Sequence, residues 1–395
     1  MSGLGVAGAP VHGSPVGQAA PNLLPIHLPP GRFPGAALAH VGWTGLQEHD
    51  AWWLSAGYDG LALIGHPSGT HVMPSDSSDA CLVVSHHARH VRFEGLIFHA
   101  GRQMVAMLGS LSSNAPSKRS LRCEFQGCVF TDEDRPDYAD SKRAKWGLQS
   151  YQADLVFEGC TWSLPSISEH GLYCHGFSKE GVLVDRCTVE AVGAEGLKFT
   201  ARPAAQYYPP EVPPGKHAAI DGVHPARGAS IVIKQSVIEG YAREGWGGGV
   251  VVQGSGANVA IKQSSITSNT DRPAFAMDAG GIEHFSPHGV AGKGPGNGYL
   301  ALSNSVFVAH GPEHVPGGVN VLRAVSARGV NIRWCGVWGP GTRAELRETG
   351  PAQIQGCNTP ELAEQAAHRE IETAGDPLVL PAGVPFSEGL EVEST

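Results

Sequence analysis

The sequence predicts an all-β fold, a single chain wound into a parallel solenoid. Three observations carry this. An eight-residue phrase recurs eight times, a small residue holds its sixth place, and the composition favours turns over exposed helices. Of 395 residues 53 are Gly and 29 Pro, and only 16% are charged, against roughly 25% in an average domain. With 41% hydrophobic residues there is material for a large core.

The phrase runs apolar, any, apolar, two mostly polar or small residues, a small residue, any, apolar. It reads VRFEGLIF from Val91, CEFQGCVF from Cys123, LVFEGCTW from Leu155 and VLVDRCTV from Val182. It continues as IVIKQSVI from Ile231, VAIKQSSI from Val259, LALSNSVF from Leu300 and VNIRWCGV from Val330. Successive starts lie 32, 32, 27, 49, 28, 41 and 30 residues apart. The first and third places alternate inward, the period of a strand. Such short strands bury nothing alone, but stacked on their copies they enclose a continuous core. The sixth place holds Leu96, Cys128, Cys160, Cys187, Ser236, Ser264, Ser305 and Cys335. It is expected to be the bend. Four of the eight cysteines fall in this column, as buried reduced fillers. Stacking distance admits disulfides, but parallel side-chain directions disfavour them.

A second phrase, Gly followed by an apolar residue, precedes six of the eight copies: Gly147, Gly171, Gly196, Gly249, Gly281 and Gly318. The bend after it carries the long insertions, 201–229 and 286–298. With the apolar residue inward, the next points out. The outward column is then Gln149, Tyr173, Lys198, Val251, Glu283 and Asn320, followed two residues on by Tyr151, His175, Thr200, Gln253, Phe285 and Leu322. Tyr151, Tyr173, His175 and Lys198 are thus expected to cluster beneath the 201–229 insertion, which carries Tyr207 and Tyr208.

These coils, with the opening Ile26-His-Leu-Pro-Pro-Gly-Arg-Phe, resemble the right-handed parallel β-helix of the pectin-lyase-like superfamily over about residues 26–340. Phage tailspikes and polysaccharide lyases share that fold. The resemblance implies a right-handed helix of about eight or nine coils with two caps. Its groove would lie on the face of the Gly-apolar strands. For a lyase it implies Lys198 as base, Tyr173 or His175 as acid and Arg202 as the group neutralising a uronate. Gln149, Tyr151, Glu283, Tyr207 and Tyr208 would bind substrate. A glycan groove without catalysis and an inert solvated face are the competing readings. Asn269-Thr270-Asp271 copies one polygalacturonase triplet, but the remaining motifs of that family are missing, so a lyase is favoured over such a hydrolase.

Four regions follow: residues 1–25, a flexible Gly/Ala/Pro arm; 26–80, a first coil and N-terminal cap bearing Trp43, Trp52 and Trp53; 81–340, the β-helix; and 341–395, a C-terminal cap with a short helix over 359–373. Net charge is −9, without the basic excess of a nucleic-acid track. No apolar run is long enough for a membrane helix. No signal peptide is read at the N-terminus, where Arg32 is the first basic residue. The expected function is a virion or surface-appendage shaft that engages a polysaccharide. It is made in the cytoplasm, docks to other appendage proteins through residues 1–25, and has a homotrimer as one option. The alternatives are a lyase acting by β-elimination on an acidic glycan, and a purely structural module. No cofactor is expected, apart from a Ca²⁺ option at the acidic loop Asp132–Asp140, whose alternative is a solvated loop. His86, His87 and His90 lack a thiol or carboxylate at ligand spacing, and no metal is assigned to them.

Overall fold

In the computed structural model of the chain, the recurring phrase is a corner. The fifth residue, ahead of the small one, adopts left-handed backbone in every copy: φ is 62°, 58° and 60° at Gly95, Gly127 and Gly159, then 52°, 50°, 50°, 49° and 55° at Arg186, Gln235, Gln263, Asn304 and Trp334. Gly356, at 65°, repeats the corner once more. The turn is therefore made one residue earlier than expected. The sixth residue is small for a different reason: its side chain fills the inside of the corner, and Cys128, Cys160, Cys187, Ser236, Ser264 and Ser305 are all buried.

The structure describes residues 23–34, 52–54, 59–74, 80–85, 88–102, 104–109, 121–133, 146–151, 153–167, 169–175, 181–191, 195–200, 230–241, 247–253, 258–270, 272–278, 299–310, 321–325, 327, 329–339, 344–347, 349 and 352–358. Among them there is no helix; the secondary structure is strand. Three parallel sheets of 11, 10 and 10 strands enclose the core, and each coil contributes one strand to each sheet in turn. The fold is a right-handed parallel β-helix. Coils are numbered here by their first-sheet strands: Leu24–His27, Leu61–Ile64, His90–Glu94, Leu121–Gln126, Ala153–Glu158, Val182–Asp185, Ser230–Lys234, Asn258–Lys262, Tyr299–Ser303, Gly329–Arg333 and Ala352–Gln355. Ten coils are complete and the eleventh adds one strand, which makes the stack longer than the eight or nine coils expected. In coil 2 the corner is widened by Gly65–Gly69, so the eight-residue phrase is interrupted and its strands escape the pattern. Trp43 and residues 359–373 lie outside the described residues.

The hydrogen-bond ladder runs on around the corner. The bend residue's N–H donates to the fourth-place carbonyl of the next coil, as from Gly159 to Asp185 at 2.8 Å and from Gln235 to Lys262 at 3.0 Å. The N–H after the small residue donates back to the previous coil, as from Thr188 to Cys160 at 2.9 Å. The sixth residue's own N–H finds a hydroxyl instead. Cys187 donates to Ser236 Oγ (3.0 Å), Ser236 to Ser264 Oγ (3.2 Å) and Ser264 to Ser305 Oγ (3.2 Å). Each of these hydroxyls donates to the carbonyl two residues back, 2.8 Å away. All eight cysteines are unbridged, and burial pushes the Cys81, Cys160 and Cys174 thiols well above their ordinary range.

Inside, side chains stack by register. Phe93, Phe125 and Phe157 form one column with centroids 5.0 and 5.2 Å apart. Phe98, Phe130 and Trp162 form the next, 5.5 and 4.9 Å apart. Beyond coil 5 the same columns turn mostly aliphatic: Val184, Ile233, Ile261 and Leu302, and Val189, Ile238 and Ile266. At the far end, Asn358 stands in for a missing strand. Its side-chain amide accepts from Val337 N–H (2.8 Å) and donates to Val337 C=O (3.3 Å), closing part of an otherwise open sheet edge.

Candidate functional site

The second phrase supplies the third sheet in coils 4 to 7: Trp146–Tyr151, His170–His175, Glu195–Thr200 and Val250–Gln253. Its glycine is required by close approach. A Cβ on Gly147 would sit 2.2 Å from the Gly171 carbonyl oxygen, and one on Gly196 would sit 2.9 Å from that of Gly249. After the glycine the chain alternates as expected. Leu148, Leu172 and Leu197 enter the core, and the register pairs Gln149 with Tyr173 and Tyr173 with Lys198 on the outside.

In coils 8 and 9 the glycine phrase does not supply the strand. Phe275–Asp278 and Leu322–Val325 do, because Phe275 and Met277, and Leu322 and Ala324, carry the inward alternation. In register the column therefore continues as Val251 and Ala276, both buried beneath the backbone at Gly247, and then Arg323 and Glu345. The expected Glu283 and Asn320 lie outside the described residues, as do Arg202, Tyr207 and Tyr208. Tyr151 and His175 pair in register; their side chains are outside the described set.

Tyr173 and Lys198 do come together: the ammonium lies 5.4 Å from the Tyr173 ring centroid. Sequence reasoning missed their two closest partners, which precede the glycines. His170 and Glu195 are register-paired, with His170 Nδ1 2.6 Å from Glu195 Oε2. Lys198 Nζ is 3.5 Å from Glu195 Oε1. The Tyr173 ring stands edge-on to His170 with centroids 4.6 Å apart. A straight strand would put residues three apart on opposite faces. The contacts from His170 to Tyr173 and from Glu195 to Lys198 show the chain turning at the glycine column, which gathers all four side chains into one cluster. The usable signal was the residue before each glycine: Trp146, His170 and Glu195.

Glu195 is buried to 2% exposure and His170 to 8%. Burial alone would raise the Glu195 carboxyl, but contact with His170 and the charge of Lys198 outweigh it and hold the group below its ordinary value. The carboxylate thus stays ionised. Its Oε2 lies 2.6 Å from His170 Nδ1 as a close charge contact, not as an aligned hydrogen bond. Gln149 (6% exposed) lies one coil below. The site offers an imidazole, an ammonium and a phenol ring within one patch, a set able to move protons and to hold an anion.

A second charged cluster, on the first sheet, centres on one carboxylate. Glu124 receives His90 Nε2 at 3.0 Å, Arg92 Nε at 2.9 Å and Arg122 Nε at 2.7 Å. Burial raises its pKa, but these three partners outweigh that and bring it down to about 2. Three of the carboxylate's roughly four acceptor positions are thus filled, and His90 is engaged here. Asp132, in the acidic loop, accepts from Ser166 N–H at 2.7 Å and from its hydroxyl; Asp134, Asp137 and Asp140 lie outside the described residues. No group of three His, Cys, Asp or Glu side chains converges as a metal set among the described residues.

A charged column marks the fourth place of the phrase. It runs Glu94, Gln126, Glu158, Asp185, then Lys234, Lys262, Ser303 and Arg333 in register. Buried Asp185 meets Lys234 Nζ at 3.1 Å where the sign changes. Among the described residues no helix is long and apolar enough to cross a membrane. No protein-family model, curated protein or solved structure matches the chain.

Proposed function

We propose that the protein is a rigid shaft of a virion or surface appendage that engages an extended polysaccharide along its third sheet, and that it is kin to the pectin-lyase-like β-helices. The observation that carries the glycan reading is the half-buried Tyr173–Lys198 pair on consecutive coils. Coils rise about 4.8 Å each, so Gln149, Tyr173 and Lys198 are stepped along a line that an extended chain can follow. Supporting the shaft reading is the uninterrupted stack of ten coils, which gives about 48 Å of stiff, ladder-bonded length. Docking to other appendage proteins through residues 1–25, a homotrimer and cytoplasmic synthesis belong to the same proposal. The test is binding of the whole chain to a panel of neutral and acidic polysaccharides. Tyr173→Ala and Lys198→Ala are expected to weaken capture about tenfold or more while the far-UV spectrum stays unchanged. Failure of the wild-type chain to bind any polymer removes the glycan half and leaves a purely structural module.

A second reading, β-elimination on an acidic glycan, is favoured by one specific observation: the ionised Glu195 between His170 and Lys198.

A further inference from the structure

We infer that Cys357 and Cys335 form an oxidant-responsive dithiol at the C-terminal end of the stack: peroxide reacts at Cys357, and Cys335 resolves the product into a disulfide that fastens the last strand to coil 10. This is independent of the glycan reading.

Register brings the two together. Arg333 pairs with Gln355, the Trp334 N–H donates to the Gln355 carbonyl at 2.8 Å, and each cysteine follows its strand by two residues. Coils rise about 4.8 Å each, within the roughly 4.4–6.8 Å between Cα atoms that a disulfide takes. Cys357 Sγ leans back over coil 10, 3.9 Å from Ile332 O, and the two thiols are in hydrogen-bond contact. Parallel side-chain directions oppose a bond between coils that are held on both sides. Coil 11 is held differently. Among the described residues Ala352–Gln355 is the last strand of its sheet and pairs with coil 10 alone. The corner after it turns on Gly356, at φ 65°, and glycine leaves that backbone free to adjust.

Chemistry sets the order of reaction. Cys357 is the one cysteine of eight that is not buried, whereas Cys335 is 2% exposed. The hydrogen bond from Cys335 outweighs partial burial and holds the Cys357 thiol below its ordinary range, which favours the nucleophilic thiolate. Contact with Cys357, and then burial, pushes the Cys335 thiol up. Cys128, Cys160 and Cys187 stack in the same column, but each is 1% exposed. Burial raises the Cys160 thiol, and contact with Cys160 raises that of Cys187, so this inner ladder stays protonated and closed to oxidant.

Hydrogen peroxide is the co-reactant, and the steps balance. The Cys357 thiolate attacks one peroxide oxygen; the S–O bond forms, the O–O bond breaks, and the departing hydroxide takes up the proton lost by the thiol and leaves as water. Cys357 is then a sulfenic acid. The Cys335 sulfur attacks Cys357 Sγ, the S–S bond forms and the S–O bond breaks. The leaving hydroxide takes the Cys335 proton and departs as a second water. The two thiols supply two electrons, and one peroxide becomes two waters.

The test treats the reduced full chain with a small excess of hydrogen peroxide, counts thiols after alkylation in denaturant, and maps the bridge by peptide mass. Two of the eight thiols should disappear, in a Cys335–Cys357 peptide, and dithiothreitol should restore them. Amide exchange in Ala352–Gln355 should slow about tenfold or more on oxidation. Serine occupies this column at Ser236, Ser264 and Ser305, so serine variants keep the corner. Cys335→Ser should stop at a Cys357 sulfenic acid trapped by dimedone, and Cys357→Ser should lose no thiol. Eight thiols surviving peroxide, a bridge within Cys128, Cys160 and Cys187, wild-type Cys357 oxidised without a bridge, or undiminished thiol loss in Cys357→Ser each overturns the assignment.

Discussion

Coils 3–5 and coils 7–9 have the same backbone and different chemistry. The earlier coils turn on glycine, at Gly95, Gly127 and Gly159, and fill their columns with Phe93, Phe125, Phe157, Phe98, Phe130 and Trp162. The later coils turn on Gln235, Gln263 and Asn304 and fill the same columns chiefly with Ile233, Ile261, Ile238 and Ile266. Left-handed backbone costs a side-chain-bearing residue about 1–2 kcal/mol. The later coils offset it with the hydroxyl ladder of Ser236, Ser264 and Ser305. In the earlier coils the corner thiols reach a carbonyl more weakly, as from Cys160 Sγ to Phe125 O at 3.3 Å. One half draws its stability from aromatic mass, the other from polar satisfaction, and the shared register lets both stack in one column.

The contrast should break first at the aromatic columns. Phe125 touches Phe93, Phe98, Phe130 and Phe157, so Phe125→Ala should cost about 3–5 kcal/mol by urea unfolding, against about 2–3 for Ile261→Ala. Equal losses at both sites would abolish the distinction. Next in size is acid. The Glu124 carboxyl is depressed from an ordinary 4.5 to about 2, so its stabilisation is full above pH 4.5 and drains away as pH falls toward 2. On the order of 3 kcal/mol is involved. Hydrogen exchange should show coils 3–5 opening in acid before coils 7–9, and Glu124→Gln should remove that order. Smaller is the hydroxyl ladder: Ser264→Ala should cost about 1–2 kcal/mol, whereas Cys160→Ser should change stability by less than about 1 kcal/mol. Smallest is the bend residue itself. Gln263→Gly should gain between nothing and about 1 kcal/mol, and Gly127→Ala should lose about 1 kcal/mol, both read as shifts in the unfolding midpoint.

Much of this fold was legible because period-2 apolar places and a repeated small residue leave few packings other than a stack. The inward assignment of Leu148, Leu172 and Leu197 followed from the same periodicity, and with it the meeting of Tyr173 and Lys198. What escaped was local. Arg186, Gln235 and Trp334 share no side-chain property that signals left-handed backbone; only the glycines in the same column do. His170 and Glu195 were hidden because strand alternation, applied through the glycine, sends them to the wrong face. Only the close approach of Gly147 to the Gly171 carbonyl explains the turn that brings them back. In coils 8 and 9 a glycine phrase was present in the sequence, but stronger apolar alternation upstream or downstream of it took the strand.

The charged column of the fourth place gives the first sheet an electrical direction. Within this column the acidic groups lie on coils nearer the N-terminus and the basic ones on coils nearer the C-terminus, with Asp185 and Lys234 at the boundary. Taken alone, this column favours antiparallel over parallel side-by-side neighbours, against the general repulsion of a chain of net charge −9, and dissolved salt weakens both tendencies.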